Sequence, residues 1–168
     1  PTKDDRDLPF RIRAAPRPFT VSYTQSVLAS LAQSQIWERP QREGGKGGAI
    51  PRDTAWLVPK DCKCAYCYGG VRVRPRPMPW WMDNVLLPDL MPQFGLIQSE
   101  WPDCCNLNFY RGPTDSVAWH SDDEGMFGHL LNPACILSIS LGATRQFQMR
   151  FEGARSEERR VGKECRSR

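Results

Sequence analysis

The stretch "CILSISLGATRQFQMRF", residues 135–151, alternates apolar and polar side chains over most of its length. Residues 137–141 alternate leucine or isoleucine with serine, and residues 146–151 alternate phenylalanine or methionine with glutamine or arginine. Because successive side chains of a strand point to opposite faces, this period of two predicts two strands, each with one buried face. The glycine at 142 predicts the turn between them.

The rest of the chain places helices before strands. Apolar residues recur at helical spacing over residues 20–39, and Pro40 follows that segment. Residues 83–100 have patchier helical character, interrupted by prolines. Two further short strands are predicted in "NLNFYR" (106–111) and "SVAWH" (116–120). Helices followed by strands indicate an α+β fold with an antiparallel sheet or barrel.

The segments between these elements include one loop and two extended stretches. "REGGKGG" (42–48) predicts a flexible loop, and "AIPRDTAWLV" (49–58) predicts an extended segment. In "VRVRPRPMPWW" (71–81) the prolines forbid a central strand, because proline cannot donate to a sheet.

Length and cysteine usage indicate one intracellular domain. The 168 residues suffice for a single core, and no apolar stretch reaches the ~18 residues that cross a bilayer. Seven irregularly spaced cysteines do not resemble a disulfide framework, so we expect reduced thiols. Cys62, Cys64 and Cys67 fall short of the four ligands of a zinc site, unless Cys104 and Cys105 contribute.

The net charge of +4 is unevenly distributed. Residues 155–168, "RSEERRVGKECRSR", carry six Lys or Arg against three Glu, and the remaining residues carry 17 against 16. This tail reads as a solvated basic segment, a nucleic-acid-binding arm, or a translated sequencing adapter, which it resembles over all 14 residues. We expect the adapter, so overall charge gives no basis for inferring a nucleic-acid partner.

The motif "WHSDDEG" (119–125) contains a candidate metal site. A mononuclear iron oxygenase needs three protein ligands on one face of the ion. His120 and Asp122 would supply two of them from the end of a strand, because residues two apart project to the same side. A surface histidine beside acids at a strand end is the alternative interpretation.

The surroundings of this motif resemble the AlkB family of iron(II)- and 2-oxoglutarate-dependent dioxygenases. The resemblance runs through "NFYRGPTDSVAWHSDDEG" (108–125) and "ILSISLGATRQFQMR" (136–150). "PRDTAW" (51–56), the Tyr-x-Tyr of "AYCYGG" (65–70) and "PMPWW" (77–81) match in the same order. The family implies oxidative removal of N-alkyl groups from DNA or RNA bases, within a partial double-stranded β-helix (jelly roll) preceded by helices and a nucleotide-recognition lid.

The resemblance also implies roles for individual residues. His120 and Asp122 would hold iron, and Asn108 and Tyr110 would hydrogen-bond 2-oxoglutarate. Glu124 would contact the edge of the alkylated base, or be a solvated acid in a turn. The remaining candidates would recognise the substrate, or else serve in loop packing or between strands: Trp56, Tyr66, Tyr68 and Arg145.

The family pattern also requires a distant histidine and two arginines that residues 152–168 do not match. His129 lies nine residues from His120 between glycines and prolines, so it is a poor third ligand. We therefore expect a truncated, inactive chain composed of an amino-terminal extension (1–48), a partial dioxygenase domain (49–154) and a non-native tail (155–168).

The remaining expectations concern partners and location. We expect alkylated DNA or RNA as substrate, no membrane association, a monomer, and an intracellular location with the nucleus as one candidate. Two alternative functions are a facial-triad hydroxylase of a protein or small molecule, and a non-catalytic nucleic-acid-binding module.

Overall fold

The computed structural model describes residues 19–44, 47–122, 126, 136–149 and 161–164. These residues contain both helices and strands, in agreement with the predicted α+β class. No helix among them is long and apolar enough to cross a membrane. The chain divides into two compact units: unit 1 is Pro1–Thr20 with Ile36–Ser116, and unit 2 is Val21–Gln35 with Val117–Arg168.

The strands are short and lie mostly in unit 1. In chain order they are β1 (Asp53–Val58), β2 (Tyr66–Tyr68), β3 (Val71–Val73), β4 (Pro75–Pro77), β5 (Cys105–Phe109), β6 (Gln146–Met149) and β7 (Val161–Glu164).

The centre of unit 1 is a three-stranded sheet in the order β4-β1-β5. β1 is buried along its whole length, pairs antiparallel with β5 and pairs parallel with β4. β5 overlaps the predicted strand 106–111 and begins one residue earlier, and β1 lies within the predicted extended segment 49–58. Polar residues at the start of β1 are satisfied; for example, the Thr54 hydroxyl donates to the Leu107 carbonyl over 3.0 Å. The sheet therefore holds the residues of β1 in fixed positions.

The prolines of residues 71–81 lie where the sequence predicts them, outside a central strand. Pro75 and Pro77 belong to β4, which is an edge strand of the sheet. Before it, β2 and β3 form a hairpin through Gly69 and Gly70, whose φ angles are 51° and 76°. Two consecutive positive φ angles are typical of the tight hairpin turn whose twist matches that of the strands.

A series of short helical turns follows β4. It comprises a π-helical turn (Met82–Leu86), α2 (Leu87–Leu90) and 3-10 turns (Met91–Phe94 and Gln98–Glu100). The prolines lie in the first turns of α2 and of the following 3-10 segment, where a missing N–H leaves no hydrogen bond unmade. The patchy helix predicted over 83–100 is thus confirmed, and its buried residues pack into the core of unit 1.

The helix predicted over residues 20–39 ends earlier than expected. The structure has α1 over Val21–Gln33, and both the backbone N–H and the hydroxyl of Ser34 donate to the Leu31 carbonyl. Glu38 instead exchanges two backbone hydrogen bonds with Thr54, of 2.9 and 2.8 Å. Pairing with β1 therefore overrides helical periodicity in the last part of this segment.

Unit 2 contains α1 and the pair β6–β7. β6 confirms the strand predicted over 146–151, and it pairs antiparallel with β7. β7 falls within residues 155–168, where the sequence predicted no strand; backbone pairing needs no apolar pattern.

Two predicted strands are absent from the part of the chain that the structure describes. Residues 136–140 and 116–120 are irregular, so both predictions were wrong. An alternating pattern gives a strand only where a neighbour completes its backbone hydrogen bonds, and neither segment has such a ladder in the described ranges.

Candidate active site

The histidine and aspartate of the HxD motif face one another. Nε2 of His120 lies 3.4 Å from Oδ1 of Asp122. On the other side of the ring, Nδ1 lies 2.8 Å from the Ala118 carbonyl oxygen. Because a carbonyl can only accept, Nδ1 carries a proton and donates it to this bond. Nε2 is therefore the ring nitrogen turned towards the carboxylate.

This pair fits an iron(II) ion. Neighbouring ligands of an octahedral ion with bonds of about 2.1 Å lie about 3 Å apart, close to the observed separation. Imidazole nitrogen and carboxylate oxygen belong to the ligand set of mononuclear iron oxygenases. A metal-binding histidine usually donates its second ring N–H to a carbonyl or carboxylate, as His120 does to Ala118. The side chains are 53 % and 41 % exposed, so an ion can reach them.

His120 and Asp122 are the two candidate ligands among the described residues. Across the described ranges, no group of three His, Cys, Asp or Glu residues lies close enough to hold a metal. Glu124, predicted to contact the base, lies outside the described residues. Arg145 directly precedes β6 and is exposed.

The three aromatic candidates form one stack in unit 1. The Tyr66 ring centroid lies 4.8 Å from that of Trp56 and 4.6 Å from that of Tyr68. Trp56 is 2 % exposed and Tyr66 is 4 % exposed, whereas Tyr68 is half-buried. The Trp56 indole N–H donates to the Cys64 carbonyl over 2.9 Å. Tyr68 is thus the member of the stack that is partly open to solvent, and the Arg52 guanidinium carbon lies over its ring, 5.7 Å from the centroid.

Arg52 connects a predicted cofactor residue with this stack. Its Nε donates to Oδ1 of Asn108 over 2.6 Å, and its Nη2 donates to the Tyr68 hydroxyl over 3.3 Å. Arg52 itself is buried. With Oδ1 occupied as an acceptor, the amide nitrogen of Asn108 is the group that would donate to a carboxylate. Tyr110, the other predicted cofactor residue, is half-buried one residue beyond β5.

Four charged residues fix the segment that leads to the HxD motif. Nε of Arg39 lies 2.7 Å from Asp53 and its Nη2 lies 2.9 Å from Asp115. Arg111 bonds Asp53 through Nε and Asp115 through its backbone N–H. The hydrogen bond that Arg39 donates to Asp53 is the largest cause that raises the pKa of Arg39, reinforced by the one that it donates to Asp115. Residues 111–115 are thereby tied to the start of β1.

Comparison with known families identifies the superfamily of the chain. Residues 12–166 match the model of the 2OG-Fe(II) oxygenase superfamily, which is most of the chain. The chain belongs to the 2OG-Fe(II) oxygenase superfamily. Iron(II) and 2-oxoglutarate, the two predicted cofactors, are the cofactors of that family.

This oxygenase chain is similar to AlkB homologues, which confirms the resemblance. It is 37 % identical over 130 residues to "Alpha-ketoglutarate-dependent dioxygenase alkB homolog 3" of Rattus norvegicus, covering 74 % of this chain and 39 % of that protein. It is 39 % identical over 130 residues to the Mus musculus protein of that name, covering 74 % of this chain and 40 % of that protein. It is 31 % identical over 130 residues to "DNA oxidative demethylase ALKBH2" of Arabidopsis thaliana, covering 76 % and 38 %. The oxygenase chain thus spans about two fifths of the length of these relatives.

Sequence reasoning missed two groups of residues in this 2OG-Fe(II) oxygenase. Arg52 lies inside the "PRDTAW" motif, but a sequence does not show that an arginine is buried. Arg39 and Asp115 lie 76 positions apart, and no local spacing indicates that they meet. The position of Asp115, five residues before His120, was the available signal that it could contribute near the site.

Proposed function

We propose that this chain is part of an iron(II)- and 2-oxoglutarate-dependent dioxygenase that removes alkyl groups from nucleic-acid bases. The observation that carries the proposal is the orientation of His120, whose Nδ1 is committed to Ala118 and whose Nε2 faces Asp122. Bound iron and 2-oxoglutarate would supply the oxidising chemistry. The names of the similar proteins, two of them dioxygenases and one a DNA oxidative demethylase, support this direction.

The chain's own residues would hold the iron incompletely. His120 and Asp122 are two ligands of a facial triad, and the other histidine of the sequence, His129, lies nine positions further on. We infer that the chain by itself binds iron(II) weakly and decarboxylates 2-oxoglutarate poorly or not at all. A third ligand would complete the triad.

Asn108 and Tyr110 would orient 2-oxoglutarate. Its carboxylates only accept hydrogen bonds, and the amide nitrogen of Asn108 and the hydroxyl of Tyr110 can donate them. Arg52 fixes the side-chain amide of Asn108 so that its nitrogen is the end left for the ligand. Preorganised donors of this kind cost little ordering when the ligand binds.

Substrate recognition would combine a stacking face with an acid. Tyr68 offers a half-exposed ring, and an aromatic face suits a base removed from its stack. Trp56 and Tyr66 would pack against that ring, as part of a nucleotide-recognition lid. Glu124 would favour a base made positive by alkylation, and Arg145 would orient the site.

The proposal includes a fold and a cellular location for the chain. We propose that residues 49–154 form part of a jelly-roll dioxygenase domain preceded by an extension (1–48), and that residues 155–168 are not native. An intracellular setting, with the nucleus as one candidate, agrees with the free thiols of Cys62, Cys64, Cys67, Cys104 and Cys105.

Anaerobic calorimetric titration with a ferrous salt tests the iron site. We expect one weak site per chain, and a loss of affinity on the order of tenfold or more in H120Q and in D122N. H129Q is the matched control, because it removes the other histidine, and it should bind like the wild type. Equal iron affinity in H120Q and the wild type would refute the site.

Binding of single-stranded oligonucleotides tests the substrate class. The chain should prefer a strand with an N-alkylated, positively charged base over the same unmodified strand, and E124Q should lose that preference while keeping the general affinity. Equal binding of both strands by the wild type would remove support for base recognition.

A further inference from the structure

Cys62 and Cys64 lie close together in the loop between β1 and β2, and neither thiol belongs to the candidate site described above. The backbone N–H of Cys64 donates to Sγ of Cys62 over 3.4 Å. Hydrogen bonding with the Cys62 side chain is the largest cause that raises the pKa of Cys64. Cys64 is exposed and Cys62 is half-buried, so a small reagent can reach the pair.

We propose that Cys62 and Cys64 are a reversible oxidation site, converted to an intramolecular disulfide by a low-molecular-weight disulfide such as oxidised glutathione. One cysteine sulfur, having lost its proton, displaces a glutathione thiolate and forms a mixed disulfide. The second cysteine sulfur, also deprotonated, then displaces the remaining glutathione thiolate. The pair loses two electrons, oxidised glutathione gains them, and two glutathione thiols are released with the two protons.

Hydrogen bonds fix the backbone on both sides of the pair before any reaction. Cys62 donates its backbone N–H to the Pro59 carbonyl over 2.9 Å, which closes a turn. The carbonyl of Cys64 accepts from the buried Trp56 indole, so the other side of the pair is anchored to β1. Because the backbone around the pair is already fixed, little chain entropy is lost when the disulfide closes, and an exposed disulfide of this kind is easily reduced again.

The remaining described thiols are less suited to this reaction. Burial is the largest cause that raises the pKa of Cys104 to about 12, and burial raises the pKa of Cys105 to about 11. Because the thiolate is the attacking species, both react slowly at neutral pH. The raised pKa of Cys64 slows its attack in the same way, so the proposed pair is distinguished by the exposure of Cys64 and the closeness of Cys62. Cys67 is exposed, but its backbone is fixed in the hairpin of β2 and β3, where it pairs with Arg72.

Lys63 makes the experiment specific, because trypsin cleaves between the two cysteines. The protein is equilibrated with oxidised glutathione, the free thiols are trapped with N-ethylmaleimide at low pH, and the tryptic peptides are weighed without reduction. We expect the peptide 61–63, "DCK", to be joined to the peptide 64–72, "CAYCYGGVR", and dithiothreitol should separate them.

Two variants assign the bond and keep the inference falsifiable. C67S should retain the joined peptides, since it leaves the proposed pair intact, and it is the matched control on the same tryptic peptide. C64S should lose them and keep glutathione on Cys62. A persistent glutathione adduct in the wild type, a link lost in C67S, or a link from Cys62 to the peptide that holds Cys104 and Cys105 would each overturn the inference. None of these readouts depends on iron or nucleic-acid binding.

Discussion

Arg52 lies between a proposed cofactor residue and a proposed stacking residue. It is buried, and its guanidinium is oriented by Asn108 on one side and by the Tyr68 hydroxyl on the other. The planar fork of an arginine can serve both directions at once, whereas a lysine ammonium is a single point of charge. The identity of this side chain therefore matters beyond its charge.

The variant R52K should lower the free energy of unfolding by about 1–3 kcal/mol, because the buried ammonium of a lysine cannot keep both hydrogen bonds of the guanidinium. Urea denaturation followed by circular dichroism measures this. R72K is the matched control: Arg72 is exposed on β3, and the same substitution there should change stability by less than about 0.5 kcal/mol. Equal effects of the two substitutions on the free energy of unfolding would mean that the hydrogen bonds of Arg52 add no stability beyond that of an exposed arginine.

At the scale of elements, the sequence predicted some strands correctly and others wrongly, although both kinds carry a strand pattern. β1, β5 and β6 lie where extended or alternating patterns predicted them. Residues 116–120 and 136–140 have strand patterns and remain irregular. A pattern shows which face of a segment could be buried, but strand pairing depends on distant residues. α1 ends early for the same reason, because the residues after it pair with β1.

The tight turn between β2 and β3 gives a prediction for a single element. Gly70 has a φ of 76°, and a Cβ built there would meet no atom within 4 Å. The cost of G70A is therefore that of the left-handed backbone alone, about 1–2 kcal/mol of unfolding free energy. G112A is the control, since Gly112 also has open space but no positive φ. Thermal or urea unfolding of both variants decides the matter, and a fully stable G70A would contradict the proposed backbone penalty.

At the scale of the whole molecule, burial is concentrated in one unit. Among the described residues, every buried side chain belongs to unit 1, with Leu57, Val73 and Met91 among the least exposed. In unit 2, Ile139 and Phe147 were expected on a buried strand face, yet they are 43 % and 58 % exposed. Burial requires an opposing layer, and the sequence pattern carries no information on that layer.

The same distribution predicts how the molecule opens to solvent. Amide hydrogen exchange measured by mass spectrometry should be slowest in β1, whose six residues are all buried and which is paired on both sides. α1 should exchange much faster although its helical hydrogen bonds are formed, because none of its residues is buried and isolated helices of this length are marginal in water. β5, paired with β1 on one side, is the internal reference and should lie between the two. If α1 were protected as strongly as β1, its stability would have to come from contacts other than burial of its own side chains, and the assignment of the stable core to unit 1 would be wrong.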